Sequence, residues 1–367
     1  MIFLGAGASK RFGIKTLQDM TDDLIKILKE KKHEQMIVEI IDGLKRFQMI
    51  PDFEAIYTII DGLIDPQNAI KYYGPFTAYM CKNLLKDTLP SREDLLDLLK
   101  VTREYIYEEC KLKPEFHANI KSIFNRLFDV LEMGVDRRFP INPSISSIQN
   151  VNIGYTIATT NYDLIAESYL WNKGEEFADG FRGNNPFERK LDFTTFSEKR
   201  ERWLVKLHGS IWQYRYQDKI FKTNQDPEKL KGIFPVNIDE KMMIYPTGEK
   251  PILKDPYYSF YRVFRMQEWS RLIVIGYSFR DDPVNIAINQ NMDRDENSTL
   301  IIVDPKAEEI IKNFSPDLQR YLSRIIRIPN EFGNEIIFDK LEVAIKASNY
   351  EEYREKLRKE KNLSPLD

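Results

Sequence analysis

Residues 1–4 are an apolar run that stops abruptly at Gly5-Ala6-Gly7-Ala8-Ser9. A helical pattern follows over residues 16–29, with Leu17, Met20, Leu24, Ile25, Ile27 and Leu28 spaced along one face. Strand, glycine turn, helix is the opening unit of a nucleotide-binding α/β fold. The glycines let backbone approach a diphosphate, and the amides of a helix N-terminus stabilise its charge. A tight structural turn needs the same glycines, so this piece alone leaves both readings open.

From residue 31 to about residue 138 the apolar spacing is helical, as in Phe53-Ile56-Tyr57-Ile60 and Leu95-Leu98-Leu99. Ser91 and Asp94, after Pro90, form a helix-start signal. Strands are predicted at 152–159, 203–207, 242–245, 272–275 and 300–303, most of them short, apolar and β-branched like buried parallel strands. Helices are predicted between some of them, at 162–171, 255–268 and 283–292, and a solvated one at 350–361. Residues 172–201, rich in Gly, Asn, Pro and charge, read as a long loop. The expected fold is α/β, a Rossmann-like doubly wound parallel sheet with a large all-helical insertion domain. Residues 1–30 with 150–330 would form the sheet domain, 31–149 the insertion, and 331–367 a C-terminal segment packed on the sheet.

Composition narrows the function classes. With 54 Lys+Arg against 57 Asp+Glu the formal net charge is −3, so the whole chain has no general attraction for nucleic acid or an anionic membrane. The segment 182–206 does hold Arg182, Arg189, Lys190, Lys199, Arg200, Arg202 and Lys206, interleaved with Phe187, Phe193 and Phe196. Glu188, Asp192, Glu198 and Glu201 interrupt it, so direct nucleic-acid binding is not expected. No apolar run approaches the ~20 residues of a membrane span, and the opening residues lack a basic leader, so a cytoplasmic location is expected. The only cysteines are Cys81 and Cys110, too few for a disulfide framework or a four-cysteine zinc site.

Four further pieces sit where predicted strands end. Thr159-Thr160-Asn161-Tyr162-Asp163 follows NIGYTIA; there Asn161 and Asp163 are either site residues or helix caps. Lys206-Leu207-His208-Gly209-Ser210 ends WLVKL, and His208 is one of three histidines, the others being His33 and His117 in charged helical surroundings. It is either a cleft residue or a satisfied buried one. Gly276-Tyr277-Ser278-Phe279-Arg280-Asp281-Asp282 follows LIVI, and Asp304 ends LIIVD, where an acid often holds a ribose hydroxyl pair.

Taken in this order, GAGxS, TxNxD, HG and G-x-S, the pieces resemble the sirtuin superfamily of NAD-consuming enzymes, over roughly residues 1–30 and 150–310. The chain departs from deacylating sirtuins in two ways. It lacks cysteines for their zinc module, and the stretch they carry as GIPDFR reads Gly13-Ile14-Lys15-Thr16-Leu17-Gln18. It is more similar to sirtuin-like prokaryotic defence proteins, whose shared look includes GAGASK-x-FGI, a large helical insertion, TTNYD, LHGS and GYSF-x-DD.

That resemblance implies an NAD glycohydrolase that releases nicotinamide and ADP-ribose, with NAD as substrate and no zinc or other metal. On it, Asn161, His208 and Asp163 are the expected catalytic residues. Gly5, Ala6, Gly7, Ala8, Ser9, Thr160, Gly276, Tyr277, Ser278 and Asp304 are expected to hold the dinucleotide. Gly5, Gly7 and Ser9 would donate to its diphosphate. The resemblance also implies a homo-oligomer controlled by a HerA-type translocase ATPase, rather than by an Argonaute, in anti-phage or anti-plasmid defence. Tyr72, Tyr73, Phe76, Tyr79 and Met80 are offered as an assembly surface, or as core. Other readings are an NAD- or ADP-ribose-binding regulatory subunit, and a protein ADP-ribosyltransferase or deacylase.

Overall fold

The computed structural model describes residues 1–30, 34–64, 75–84, 90–134, 155–174, 176–183, 189–197, 202–216, 219–223, 241–243, 257–312 and 314–365. The shortest, most apolar runs of the sequence become its central sheet. Six strands, β1 (Ile2–Leu4), β2 (Tyr155–Thr159), β5 (Arg202–Lys206), β9 (Arg271–Ile275), β10 (Thr299–Val303) and β11 (Ile325–Ile328), lie in the order β11-β10-β9-β1-β2-β5. All their pairings are parallel.

Alternate side chains enter two cores, which is why these strands are apolar throughout instead of alternating. Ile2, Leu4, Ile157, Leu204, Ile273, Ile275, Ile301, Val303 and Ile326 face one core, built also from helices His117–Gly134, Ile165–Asn172, Glu335–Ile345 and Tyr350–Lys356. Phe3, Ala158, Val205, Leu272, Val274, Leu300 and Ile302 face the other, under helices Tyr257–Arg265, Asp282–Arg294 and Ala307–Lys312. Each fully buried Leu or Ile stabilises the fold by roughly 1.5–3 kcal/mol.

A third core belongs to the helices Leu17–Glu30, Glu34–Arg46, Phe53–Ile64 and Arg92–Cys110, with Met80 and Cys81 from Pro75–Leu84. Ser91 starts the longest of these as read: its Oγ accepts from the Asp94 amide at 3.1 Å and donates to the Asp94 carboxylate at 2.6 Å. Helix Leu17–Glu30 joins this helical core, and His117–Gly134 joins the sheet. The packing units therefore cut differently from the segments drawn on composition. Phe332, Ile337 and Tyr353 pack the C-terminal segment on the sheet.

A second, antiparallel sheet has the order β3-β4-β7-β6-β8, from β3 (Phe181–Arg182), β4 (Arg189–Leu191), β6 (Gly209–Tyr216), β7 (Lys219–Lys222) and β8 (Lys241–Met243). The segment 172–201 is thus not one long loop. Arg189 and Lys190 pair with Lys222 and Phe221 of β7, partners 33 and 31 residues away that local composition cannot reveal. β3, β4, β6, β7 and β11 are additional to the predicted strands.

Residues 152–154, 244–245 and 255–256 of the predicted elements lie outside the described residues. So do His33, Tyr72, Tyr73, Phe187, Lys199 and Arg200, and nothing is said of the Phe76 side chain. Of the remaining assembly candidates, Met80 is core and Tyr79 is 59% exposed. His117 is exposed at the start of its helix.

Candidate active site

Because the six strands are parallel, their C-terminal ends share one edge. The chain runs outward from β1 through β2 to β5 on one side, and through β9, β10 and β11 on the other. The direction reverses between β1 and β9, the switch point where open α/β sheets bind ligands. Gly5–Ser9, Thr160–Asp163, His208, Gly276–Asp282 and Asp304 all follow strands at this edge. The fold brings every expected site residue to the same side of the sheet.

At the switch point two glycine turns touch. The Gly5 amide donates to the Ile275 carbonyl at 2.9 Å, the Gly7 amide to the Gly276 carbonyl at 2.8 Å, and the Ala8 amide to the Gly5 carbonyl at 3.0 Å. A Cβ on Gly5 would lie 2.5 Å from the Gly276 oxygen, and one on Gly276, whose φ is +62°, would lie 2.2 Å from the Ala8 nitrogen. The glycines are therefore required by the contact of backbone with backbone. The amides of Gly5, Gly7 and Ala8 are engaged within the protein, so the expected donation by Gly5 and Gly7 to a diphosphate is not what this geometry offers. Ala6 is exposed beside them.

Ser9 links Asn161 to Asp163 in a hydrogen-bonded chain. Ser9 Oγ donates to Asp163 Oδ2 at 2.6 Å and accepts from Asn161 Nδ2 at 2.9 Å. Asn161 Nδ2 also donates to the Gly5 carbonyl at 2.9 Å. That carbonyl can only accept, so the atom facing it is the amide nitrogen. Both amide hydrogens of Asn161 are spent on positioning, which leaves Oδ1 to accept from a hydroxyl or a water. The Thr159 hydroxyl, bonded to the Leu4 carbonyl at 2.8 Å and to the Asn161 amide at 3.0 Å, fixes the turn between them.

Asp163, one residue before the N-cap Leu164 of helix Ile165–Asn172, accepts from the Ile165 amide at 3.0 Å in an Asx turn. Burial pushes its carboxyl above the usual range, against the pull of Lys206 and the Ser9 hydroxyl. With both oxygens occupied it is a positioning residue, and Ser9, placed among the cofactor contacts, is its partner. Thr160 lies half-buried between β2 and Asn161.

His208 is 5% exposed, at the turn between β5 and β6. Its Nε2 lies 2.7 Å from Asp281 Oδ2 and 3.1 Å from the Tyr261 hydroxyl, which itself donates to the same oxygen at 2.8 Å. Burial, then Asp281, holds the Tyr261 phenol well above its ordinary pKa, so it remains a donor. Of the two readings of this histidine, the structure shows the buried, satisfied one, its partner being a carboxylate that can direct it.

Tyr277 faces inward. Its ring packs 4.8 Å from that of Phe3, and its hydroxyl accepts from the Asp281 amide at 3.2 Å, so its observed task is to hold the Asp281 loop. Ser278 is exposed. Asp304 accepts from the Lys306 amide at 2.7 Å, and burial raises its pKa.

Sequence reasoning passed over Tyr261, for which no local motif exists, and left Asp281 unassigned inside GYSFRDD. It also passed over a buried ionic chain beginning at Lys206, the residue that opens KLHGS. Lys206 Nζ donates to the Asp163 carbonyl and lies 3.3 Å from Glu167. Lys222 bridges Glu167 at 3.2 Å and Asp179 at 3.0 Å, and Arg189 grips both oxygens of Asp179 at 2.7 and 2.9 Å. Arg189 and Lys206, two members of the basic segment, are thus structural ion-pair partners, and Arg182 pairs with Asp192 at 2.8 Å.

Among the described residues no three His, Cys, Asp or Glu side chains converge to hold a metal ion. Nor is any helix among them long and apolar enough to cross a membrane.

Residues 155–326 match the family model of the SIR2-like domain. That span includes Asn161, Asp163, His208, Gly276 and Asp304, while β1 brings Gly5–Ser9 to the same edge from outside it. A solved structure described as a mutant Sir2 homologue in complex with 2′-O-acetyl ADP-ribose is similar at 14% identity, with a TM-score of 0.40, over 94% of this chain and 90% of that one. No curated protein matches the chain.

Proposed function

We propose that this chain, with its SIR2-like segment, is a sirtuin-like NAD glycohydrolase that cleaves NAD to nicotinamide and ADP-ribose. The observation that carries the reading is the pairing, at one sheet edge, of an Asn161 whose Oδ1 is left to accept with a His208 directed by a buried carboxylate. A structural turn would need neither.

The bond broken joins ribose C1′ to the pyridinium nitrogen, which keeps the electron pair and leaves as neutral nicotinamide. No acid is needed to protonate it. Water forms the new bond to C1′, and its proton must be taken up. With Nε2 held by the Asp281 carboxylate, the imidazole is stabilised when it takes up that proton and becomes charged. Asn161 Oδ1 orients the water or a ribose hydroxyl, and Ser9 and Asp163 hold the amide in place. Asp163 contributes through this alignment.

The biological role follows the same resemblance: depletion of cellular NAD during phage or plasmid attack. The chain would act as a homo-oligomer that a HerA-type translocase ATPase switches on or holds off. An inactive chain that becomes active on adding such an ATPase supports this control, and full activity as a monomer opposes it. The catalytic reading is tested by incubating the protein with NAD and resolving nicotinamide and ADP-ribose chromatographically, beside Asn161→Ala and His208→Ala.

A further inference from the structure

We infer that the helical region contributes a positioning residue to this site, Glu54, which acts through Tyr162. Tyr162 belongs to TTNYD, between Asn161 and Asp163, yet its ring is not in either core of the sheet. It enters the helical core, together with Leu164 of the same loop and Ile211, which follows LHGS. The loops carrying Asn161 and His208 are thus both plugged into that core.

Glu54, in the first turn of helix Phe53–Ile64, meets Tyr162 there. The Tyr162 hydroxyl donates to Glu54 Oε1 at 2.9 Å, and both side chains are buried. The Tyr162 ring lies 6.3 Å from the His208 ring. Glu54 also exerts its charge on Tyr261, the second partner of His208 Nε2. Just before it, Asp52 caps the same helix through the Ala55 amide at 2.9 Å and feels the charge of Arg280 in GYSFRDD. The N-terminal end of one helix therefore meets the TTNYD loop through the Tyr162 hydrogen bond and, by charge, reaches Tyr261 and the GYSFRDD loop.

A buried carboxylate is costly unless hydrogen-bonded, and the Tyr162 hydroxyl is one of the bonds that keep Glu54 in place. In return the bond fixes the residue next to Asn161. A shift of about 1 Å in a group that orients the reacting atoms can cost on the order of 10²-fold in rate. Moving the helical region relative to the sheet would displace Asn161 and His208 together.

The test compares the full chain with Glu54→Leu, Glu54→Gln and Tyr162→Phe by two readouts. Hydrogen–deuterium exchange needs no activity: in Glu54→Leu, peptides covering 159–164 and 207–211 should exchange faster while those of helix Glu335–Ile345 do not change. The kinetic readout rests on the NAD-cleavage reading. There kcat should fall roughly 10–100-fold in Glu54→Leu and Tyr162→Phe with KM for NAD changed less than about threefold, and Glu54→Gln, which keeps an acceptor, should recover most of the loss. Wild-type exchange at both loops in Glu54→Leu overturns the inference. A wild-type chain that leaves NAD intact with and without a HerA-type ATPase overturns the NAD-cleavage reading alone, because the exchange result still decides the role of Glu54.

Discussion

Asp281 Oδ2 lies 2.7 Å from His208 Nε2 and 2.8 Å from the Tyr261 hydroxyl, so one buried oxygen sets both the tautomer and the direction of the imidazole. The pair is 73 residues apart in sequence and meets because β5 and β9 end at the same sheet edge.

Replacing that oxygen should therefore be felt in chemistry more than in binding. Asp281→Asn is expected to lower kcat for NAD cleavage by about 10²–10⁴-fold, with KM nearly unchanged, since it removes the charge that stabilises the imidazolium and offers an amide donor that favours the other tautomer. Tyr261→Phe keeps the Asp281 contact and should cost roughly tenfold or less. Steady-state kinetics on the two variants separates the contributions.

The glycine contact at the switch point makes a stability prediction. Gly276→Ala places a Cβ 2.2 Å from the Ala8 nitrogen at a φ of +62°. Left-handed strain and overpacking together should cost roughly 2–5 kcal/mol. Gly174→Ala, which also has a positive φ but nothing within 4 Å, should cost only the strain. Urea unfolding of both variants checks the difference.

The buried ionic chain should be intolerant of removing one member. Lys222→Met leaves Glu167 and Asp179 short of a shared cation and should destabilise the fold by about 3–5 kcal/mol. Arg354→Met, an exposed i,i+3 pair with Glu351, should change stability by less than about 1 kcal/mol.

Two buried carboxylates should give the stability profile opposite slopes. Burial disfavours charge on Asp179, but Lys222 and Arg189 outweigh it and hold its pKa below the ordinary 3.8. Its contribution is present above that value and lost as pH falls through the folded pKa. Asp163 is raised above 3.8, so its contribution is present below that value and lost as pH rises through its folded pKa. Denaturant unfolding across the acid range should show the acid loss diminished in Asp179→Asn and the opposing slope diminished in Asp163→Asn.

Much of this architecture is written locally. Leu272 to Ile275 and Leu300 to Val303 are apolar at every position because both faces of the sheet are covered, and each is followed by a site loop. Asn161 and His208 could be singled out because they follow such runs. What the sequence hides is long-range. Tyr261 sits mid-helix with no motif, and Glu54 reads as one more acidic residue in a helical segment. β3 and β4 are short and polar, stabilised by pairing with β7 and by the Arg189–Asp179–Lys222 ions. The glycines of GAGAS were legible as necessary, but their observed reason, contact with the turn at Gly276, depends on a strand that arrives some 270 residues later.

The most direct measurement is turnover of NAD by the purified chain, beside Asn161→Ala and His208→Ala variants that keep the wild-type unfolding profile. The account predicts nicotinamide and ADP-ribose in equal amounts from the wild type and a loss in each variant of about 10²-fold or more. NAD left intact by the wild type both alone and with a HerA-type ATPase added, or cleavage that persists in both variants, would contradict it.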